Sequence, residues 1–289
     1  MTQILVTGIL LSGTYALIAL GLTLQYGVAR IMNLANGETL VAGCFIAMWL
    51  FATLTINPVV GLLIIAPAAF AANWGIYRVA LEPLVKRAKS RGQLEVDSIL
   101  ATFGLLFLFQ GIMLLTFGGE YFNYTFLAQR FEILGSGYGL NRVVAFAAAV
   151  AIAVALYFFL YRTRHGTAMR AVAVDPKSAN LVAIDVARTA AIAFALGGAL
   201  TACGGALLST FYTFNASMGV VFTMKALIIV IMGGVGDVRG AVLAALILGV
   251  AETAVASLID PSLTLAATYT LFIVVLLFRP QGMFGRQTT

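Results

Sequence analysis

The chain has 289 residues, of which 62% are hydrophobic and only 10% are charged. Its mean hydropathy of +1.03 is far above that of a soluble domain, so the composition predicts a membrane protein. The net charge of +6 is not a nucleic-acid signature, because the basic residues cluster between apolar runs.

Continuous apolar runs predict transmembrane helices rather than the strands of a barrel. Ile4–Ala29 contains no charged residue, whereas barrel strands alternate apolar and polar residues in segments of about 10. We therefore predict an all-α polytopic membrane protein with eight or nine spans and a single transmembrane domain over residues 1–289. Met1–Ala29 is expected to be the first span, because it is too long and too poor in basic residues for a cleaved signal peptide.

Eight apolar runs are long enough to be confident spans. They cover residues 4–29, 39–56, 58–79, 98–117, 143–161, 189–212, 240–259 and 262–278. A ninth run over 222–236 is weaker, because it holds Lys225 and ends in the glycine-rich sequence GGVGDVRG. This run fits a short span, a broken helix or a re-entrant segment.

The positions of lysine and arginine predict the orientation of the chain. Basic residues concentrate in the loop 80–97, in the insert 162–188 and after the last span. When these regions are placed inside, only Arg130, Arg142 and Lys225 stay outside. The sequence thus predicts an outside N-terminus, a cytoplasmic C-terminus and a multi-pass location in the bacterial inner (plasma) membrane.

The segment MNLANGETLVAG at 32–43 is polar between two apolar runs. It contains Asn33, Asn36, Gly37 and Glu38. Asparagine and glycine loosen a helix, and freed backbone groups can coordinate a polar solute, so these residues are candidates for the solute pathway or its gate. The other interpretation is an ordinary cytoplasmic turn, with Glu38 favoured by the dipole of the following helix.

Lys225 and Glu252 are each the only charge in an apolar run. The predicted orientation puts both in the outer half of the membrane, where a charge is costly and usually faces protein or a water-filled path. We predict that they pair or line the solute path.

The glycine-rich segment GGVGDVRG lies between these two residues in the sequence. Its Asp237 and Arg239 predict a capped cytoplasmic turn. It is not a nucleotide-binding loop, because the sequence contains no G-x-x-x-x-G-K-[ST] motif.

The insert RTRHGTAMRAVAVDPKSANLVAIDVAR at 162–188 holds the only histidine of the chain. Asp175 followed by Pro176 predicts a helix start, so the insert is expected to form a short cytoplasmic helix pair. Such a pair can lie on anionic lipid or dock a partner protein, and its residues leave both alternatives open. His165 is expected to be solvated, because no histidine, cysteine or acid is spaced beside it as a co-ligand.

The predicted outer segment 118–142 is rich in glycine and aromatic residues. Its Tyr121, Phe122, Tyr124 and Phe126 fit an aromatic belt at the membrane interface, or a docking surface for an external partner. Cys44 and Cys203 lie in apolar runs without C-x-x-C spacing. We expect them to be small buried residues, and predict neither a disulfide nor a metal site.

Four segments of this chain resemble one family, the branched-chain amino acid permeases of bacterial ABC importers, whose close relatives import urea and short amides. They are GTYALIALGLTLQYGVARIMNLANGE (13–38), RTRHGTAMRAVAVDPKSANLVAIDV (162–186), MKALIIVIMGGVGDVRGAVLAALILGVAE (224–252) and LLFRPQGMFG (276–285). The resemblance runs across essentially the whole chain and implies a permease that is not itself an enzyme. Residues 33–38 read N-L-A-N-G-E, whereas the family commonly has N-F-A-H-G-E. Asn36 stands where the family has histidine, and unlike histidine it cannot become a cation near neutral pH. This difference leaves open a solute other than a leucine-type amino acid.

The resemblance also implies partners. They are a second permease subunit, often a related heterodimer partner, two cytoplasmic ATPase subunits that carry ATP and Mg, and a periplasmic solute-binding protein; this chain holds no cofactor. In such importers a cytoplasmic coupling helix docks on the ATPase, which favours that role for the run 166–184 over lipid contact. The matching positions are Gly166, Ala168, Arg170, Ala171, Asp175, Pro176, Ala179 and Ile184.

The sequence leaves two alternatives to an ABC permease. A stand-alone secondary transporter or channel is disfavoured by the lack of several carboxylates or histidines positioned for ion coupling. A membrane enzyme is disfavoured because no nucleophile, base and metal constellation is assembled.

Overall fold

The computed structural model describes residues 1–88, 90–127, 129–133, 136–279 and 282–284. Three residues of the predicted family segment LLFRPQGMFG, at 280, 281 and 285, lie outside the described part of the chain. The described residues form twelve α-helices: α1 Thr2–Ala29, α2 Asn36–Leu54, α3 Pro58–Ile76, α4 Glu82–Arg87, α5 Arg91–Phe117, α6 Leu140–Arg162, α7 Arg164–Val174, α8 Pro176–Leu181, α9 Val186–Leu208, α10 Gly219–Gly233, α11 Val238–Leu258 and α12 Thr264–Phe278.

Four further short elements complete the described fold. A π-helical segment, Tyr77–Leu81, joins α3 to α4, and a 3₁₀ turn, Pro261–Leu263, precedes α12. Strands β1 Arg130–Ile133 and β2 Ser136–Gly139 form an antiparallel hairpin between α5 and α6.

Eight helical segments of the described chain are long and apolar enough to cross a membrane: Thr2–Ala29, Asn36–Leu54, Pro58–Arg87, Gly92–Phe117, Leu140–Arg162, Val186–Leu208, Val238–Leu258 and Pro261–Phe278. The predicted all-α polytopic fold and its eight confident spans are confirmed. The weak ninth run forms α10, a single helix of 15 residues. It is shorter than a typical span of about 20 residues, and a short glycine-containing turn separates it from α11.

Aspartates start helices at two predicted positions. Asp175 accepts a hydrogen bond from the backbone N–H of Lys177 at 2.9 Å and begins α8. Asp237 accepts from the N–H groups of Arg239 and Gly240, both at 2.8 Å, and begins α11. The predicted helix start and the predicted capped turn are both confirmed.

Helix α9 occupies the centre of the bundle, where it packs against α1, α2 and α3, while α1 also packs against α11. The opposite extreme is α12, whose Ile273, Leu277 and Phe278 are exposed. Outward-facing apolar side chains of this kind suit contact with lipid tails.

Small residues bring α2 and α9 into backbone contact. A Cβ atom on Gly205 would lie 2.1 Å from the carbonyl oxygen of Leu40, and one on Gly43 would lie 2.2 Å from that of Ala202. The Cys44 thiol also lies 3.1 Å from the Gly205 carbonyl oxygen. In a membrane, where lipid tails are as apolar as leucine, such close approach is a main source of helix association.

The aromatic residues of the outer segment do not form the predicted belt. Only Tyr121 is strongly exposed, at 74%. Phe122 packs among the aromatic rings of α2, α5 and the chain after α9, Phe126 is buried, and the Tyr124 hydroxyl lies 2.9 Å from the Ser209 hydroxyl. These side chains therefore hold the segment against the bundle rather than anchoring it in the interface.

The crossing of α2 and α9 predicts a strict size limit at Gly205. Gly205→Ala should lower the melting temperature in detergent, because overpacking costs about 1–3 kcal/mol. The control is Gly104→Ala on α5, where an added Cβ meets nothing within 4 Å and alanine is the better helix former. Equal melting temperatures for the two variants would contradict the close crossing.

Candidate functional site

The chain between α1 and α2 turns back into the bundle. Arg30 ends α1 in the left-handed region, with φ at 58°. The side chain of Asn33 then donates a 3.0 Å hydrogen bond to Gln25 of α1, and Gln25 in turn donates to the carbonyl oxygen of Phe194 on α9 at 3.2 Å. The linker thus runs alongside the last turns of α1 instead of leaving the bundle.

As a result, α2 begins beside the body of α9 and the first turns of α10. The Thr201 hydroxyl of α9 donates to Asn36 Oδ1 at 2.9 Å, and the N–H of Gly37 donates to the Thr223 hydroxyl of α10 at 2.8 Å. Asn33, Asn36 and Glu38 are at most 3% exposed, and Gly37 is buried. These four predicted residues are therefore inside the bundle and not in an exposed turn.

Glu38 has an unusual environment within this cluster. Both of its carboxylate oxygens are buried and have no hydrogen-bond partner among the residues that the structure describes. The carboxylate lies against Gly219 at the start of α10, where a Cβ atom would come within 2.3 Å of Oε1. The side-chain amide nitrogen of Asn36, in the same turn of α2, also lacks a partner within the described chain.

Unpaired buried polar groups are costly, so each one calls for a physical reason. Glu38 offers two acceptors and the Asn36 amide offers a donor, in the first turn of one helix. This set can hydrogen-bond a small polar solute, water or a moving part of the protein when the bundle opens.

Lys225 and Glu252 form a buried ion pair, at 2.8 Å between Nζ and Oε2. The Tyr15 hydroxyl donates to Glu252 Oε2 at 2.7 Å and accepts from Lys225 Nζ at 2.8 Å, and the Thr268 hydroxyl donates to Glu252 Oε1 at 2.5 Å. The network joins α1, α10, α11 and α12. The structure thus brings the predicted pair together, while a role in the solute path stays a prediction.

The sequence did not predict Tyr15 and Thr268 as site residues, and the same is true of Gln25, Thr201 and Thr223. Each is a hydroxyl or amide side chain in an apolar helix. Such residues commonly bond the backbone of their own helix. The Thr201 hydroxyl, for example, also lies 3.1 Å from the Gly197 carbonyl oxygen, an alternative acceptor for its one proton. No local signal separates those that cross to another helix from those that do not.

In the insert, α7 and α8 form the predicted helix pair, and α7 folds tightly onto α6. Gly166 makes this possible, because a Cβ atom there would lie 2.5 Å from Leu160 Cα. Ala179 is buried against the bundle, and Ile184 is partly buried there. Of the eight predicted coupling positions, only Arg170 and Asp175 are exposed.

The exposed face of the insert has both charge and apolar surface. Arg170 lies 4.7 Å from the ring centre of Tyr161. Hydrogen bonds, first from the Ser178 hydroxyl, hold the pKa of Asp175 below its ordinary value and so keep it ionised. Leu181 and Val182 are 87% and 69% exposed. Both side chains therefore point away from the bundle.

A polar cavity of about 280 Å³ lies at the opposite end of α9 from the insert. It is lined by residues of the outer segment and of the chain that follows α9, among them Tyr124, Asn141, Ser209 and Thr213. Burial raises the pKa of Tyr124 to about 12, so its phenol stays protonated and can donate or accept a hydrogen bond.

Comparison with known proteins identifies one family over nearly the whole chain. The family described as "Branched-chain amino acid transport system / permease component" matches residues 4–278. The high-affinity branched-chain amino acid transport system permease protein LivH of Escherichia coli K12 is 30% identical, over 98% of this chain and 95% of its own length. The corresponding protein BraD of Pseudomonas aeruginosa is 33% identical over the same shares.

A more distant relative is the ribose import permease protein RbsC of Bacillus subtilis. It is 26% identical over 54% of this chain and 50% of its own length. No solved structure matches the chain significantly.

The buried ion pair predicts a strong difference between single and double substitution. Lys225→Met leaves Glu252 charged and unpaired, which should destabilise the protein by about 3–5 kcal/mol, whereas adding Glu252→Leu should restore most of that loss. The measurement is the melting temperature in detergent. Lys86→Met is the control: its ammonium, paired with Glu82, is exposed, so the melting temperature should hardly change. A Lys225→Met protein as stable as wild type would contradict the pairing.

Proposed function

We propose that this chain, which belongs to the family of branched-chain amino acid transport permease components, is the permease subunit of an ATP-driven importer in the bacterial inner membrane. The sequence resemblance predicted this family. The proposed solute is a branched-chain amino acid or a related small polar molecule. The observation that carries the proposal is the match to LivH and BraD over nearly their whole lengths. The permease itself is a non-catalytic membrane subunit.

We propose that Asn33, Asn36, Gly37 and Glu38 form the polar part of the solute pathway or its gate. The unpaired carboxylate of Glu38 suits an ammonium or amide group, and the free amide donor of Asn36 suits a carboxylate or carbonyl oxygen. Their burial describes a closed conformation, which alternating access would have to open.

Helix α10 is the element best placed to open this cluster. Its first residue, Gly219, lies against Glu38, and its Thr223 contacts the first turn of α2. Its Lys225 is tied to Tyr15 and Glu252. A short helix that touches both polar clusters fits the broken helices that form binding sites in other transporters. We therefore propose that Lys225 and Glu252 set the position of α10 and so act on the gate.

The proposed partners are a second permease subunit, two ATPase subunits and an external solute-binding protein. For the ATPase we propose the exposed face of the insert, with Arg170, Asp175, Leu181 and Val182 as contacts. Adjacent exposed apolar residues flanked by charge suit a protein interface. This role places the insert in the cytoplasm, in agreement with the orientation predicted from basic residues, and puts the polar cavity on the side of the binding protein.

Glu38 provides a direct test of the proposed pathway. Glu38→Gln keeps the size of the side chain but removes the anionic acceptors, so leucine uptake by the complete importer in proteoliposomes should fall about tenfold or more. Glu120→Gln, an exposed substitution beyond the end of α5, should leave uptake unchanged. Wild-type uptake by Glu38→Gln would remove this residue from the pathway.

The insert is tested by association with the ATPases. Arg170→Ala combined with Asp175→Ala should weaken co-purification and reduce solute-stimulated ATP hydrolysis, and Leu181→Ser should do the same through lost apolar contact. His165→Ala, an exposed change in the same insert, is the matched control. Unchanged association and unchanged stimulation in both test variants would count against residues 166–184 as the contact.

A further inference from the structure

A cavity of about 460 Å³ lies between the insert and the helix bundle, at the end of the molecule opposite the polar cavity. Its walls come from the end of α1, the π-helical segment, α4, the start of α5, the helices of the insert and the start of α9. Most of the lining is aliphatic, including Val85, Leu94 and Val172. The volume is in the range of sites that bind small molecules, about 300–1,000 Å³.

Two opposite charges line the same space. Arg30 follows α1, and its guanidinium donates one long hydrogen bond of 3.5 Å to the carbonyl oxygen of Ala173. Asp185 precedes α9, where one carboxylate oxygen accepts from the backbone N–H of Arg188 at 2.9 Å. A planar guanidinium recognises carboxylates well, and a carboxylate recognises an ammonium group.

The third polar group is the hydroxyl of Tyr77. Tyr77 lines the cavity, is fully buried and packs its ring against Phe194 at 5.5 Å between centres. Its hydroxyl has no hydrogen-bond partner among the described residues. A buried phenol normally finds one. Packing covers the oxygen itself, so a molecule in the cavity bonds it only when the lining shifts to uncover it.

We propose that this cavity binds a free amino acid with an aliphatic side chain. Arg30 receives the carboxylate, Asp185 receives the ammonium group and the Tyr77 hydroxyl adds a hydrogen bond. The aliphatic walls take the side chain. None of these three residues belongs to the pathway cluster, so this is a second site for the same chemical class.

The position of the site gives it a consequence for transport. A ligand that bridges Arg30 at the end of α1 and Asp185 at the start of α9 ties the insert to the bundle. Because we propose that the insert carries motion from the ATPase, occupancy from the cytoplasmic side slows further import. The ligand class rests on the proposed function, since the imported solute is released at this face.

The test is equilibrium binding of radiolabelled leucine to the detergent-purified complete importer, without its binding protein. Wild type should show saturable binding, and Arg30→Gln and Tyr77→Phe should each weaken it about tenfold. Tyr77→Phe should also melt at or above the wild-type temperature, because its hydroxyl has no protein partner to lose. Arg87→Gln, an exposed change at the end of α4 outside the cavity lining, should bind as wild type does.

Absence of saturable binding, or equal binding by wild type, Arg30→Gln and Tyr77→Phe, would overturn the proposal. Binding that survives both substitutions and is displaced by added phospholipid would show a lipid occupant and would also overturn it. Uptake by the wild-type importer in proteoliposomes tests the proposed function separately. A transporting importer without this leucine site would therefore refute only the second site.

Discussion

The close contact between α2 and α9 is the constraint on which the candidate site depends. Gly43 and Gly205 let the two backbones touch, and this brings the first turn of α2 against Thr201 in the body of α9. A larger residue at the crossing would push α2 outward. The polar cluster of Asn33, Asn36 and Glu38 would then lose the enclosure that α9 and α10 give it.

The two buried polar clusters differ in how far they are satisfied. Glu252 receives hydrogen bonds from Tyr15 and Thr268 as well as the charge of Lys225, so its burial is compensated. Glu38 has no such partners among the described residues. In an environment without water, a satisfied pair stabilises one arrangement of helices, whereas an unsatisfied group favours a change that supplies a partner. This difference suggests a division between holding α10 in place and receiving the solute.

Much of the fold could be predicted from the sequence, because the length of an apolar run and an aspartate that caps a helix are local signals. Eight spans, the helix start at Asp175 and the turn at Asp237 follow from them. Lys225 and Glu252 could be predicted as a pair, because a lone charge in an apolar run needs a partner. The orientation and the role of each pathway residue stay predictions.

Long-range packing accounts for what the sequence did not predict. The enclosure of the first turn of α2 depends on the path of the linker and on contacts with α9 and α10, which leave no periodic pattern. Phe122 and Phe126 are residue types typical of an interfacial aromatic belt, but they pack inward against aromatic rings of α2. Leu181 is a residue type typical of a hydrophobic core, but its side chain is exposed at the end of α8.

Reconstitution shows whether this chain is a solute pathway driven by ATPase partners. Leucine uptake is measured in proteoliposomes with the chain alone, and with the second permease, the two ATPases, the binding protein and ATP. We expect uptake only in the complete, ATP-supplied system. Solute uptake by the chain alone, without ATP, would contradict it and favour a stand-alone transporter or channel.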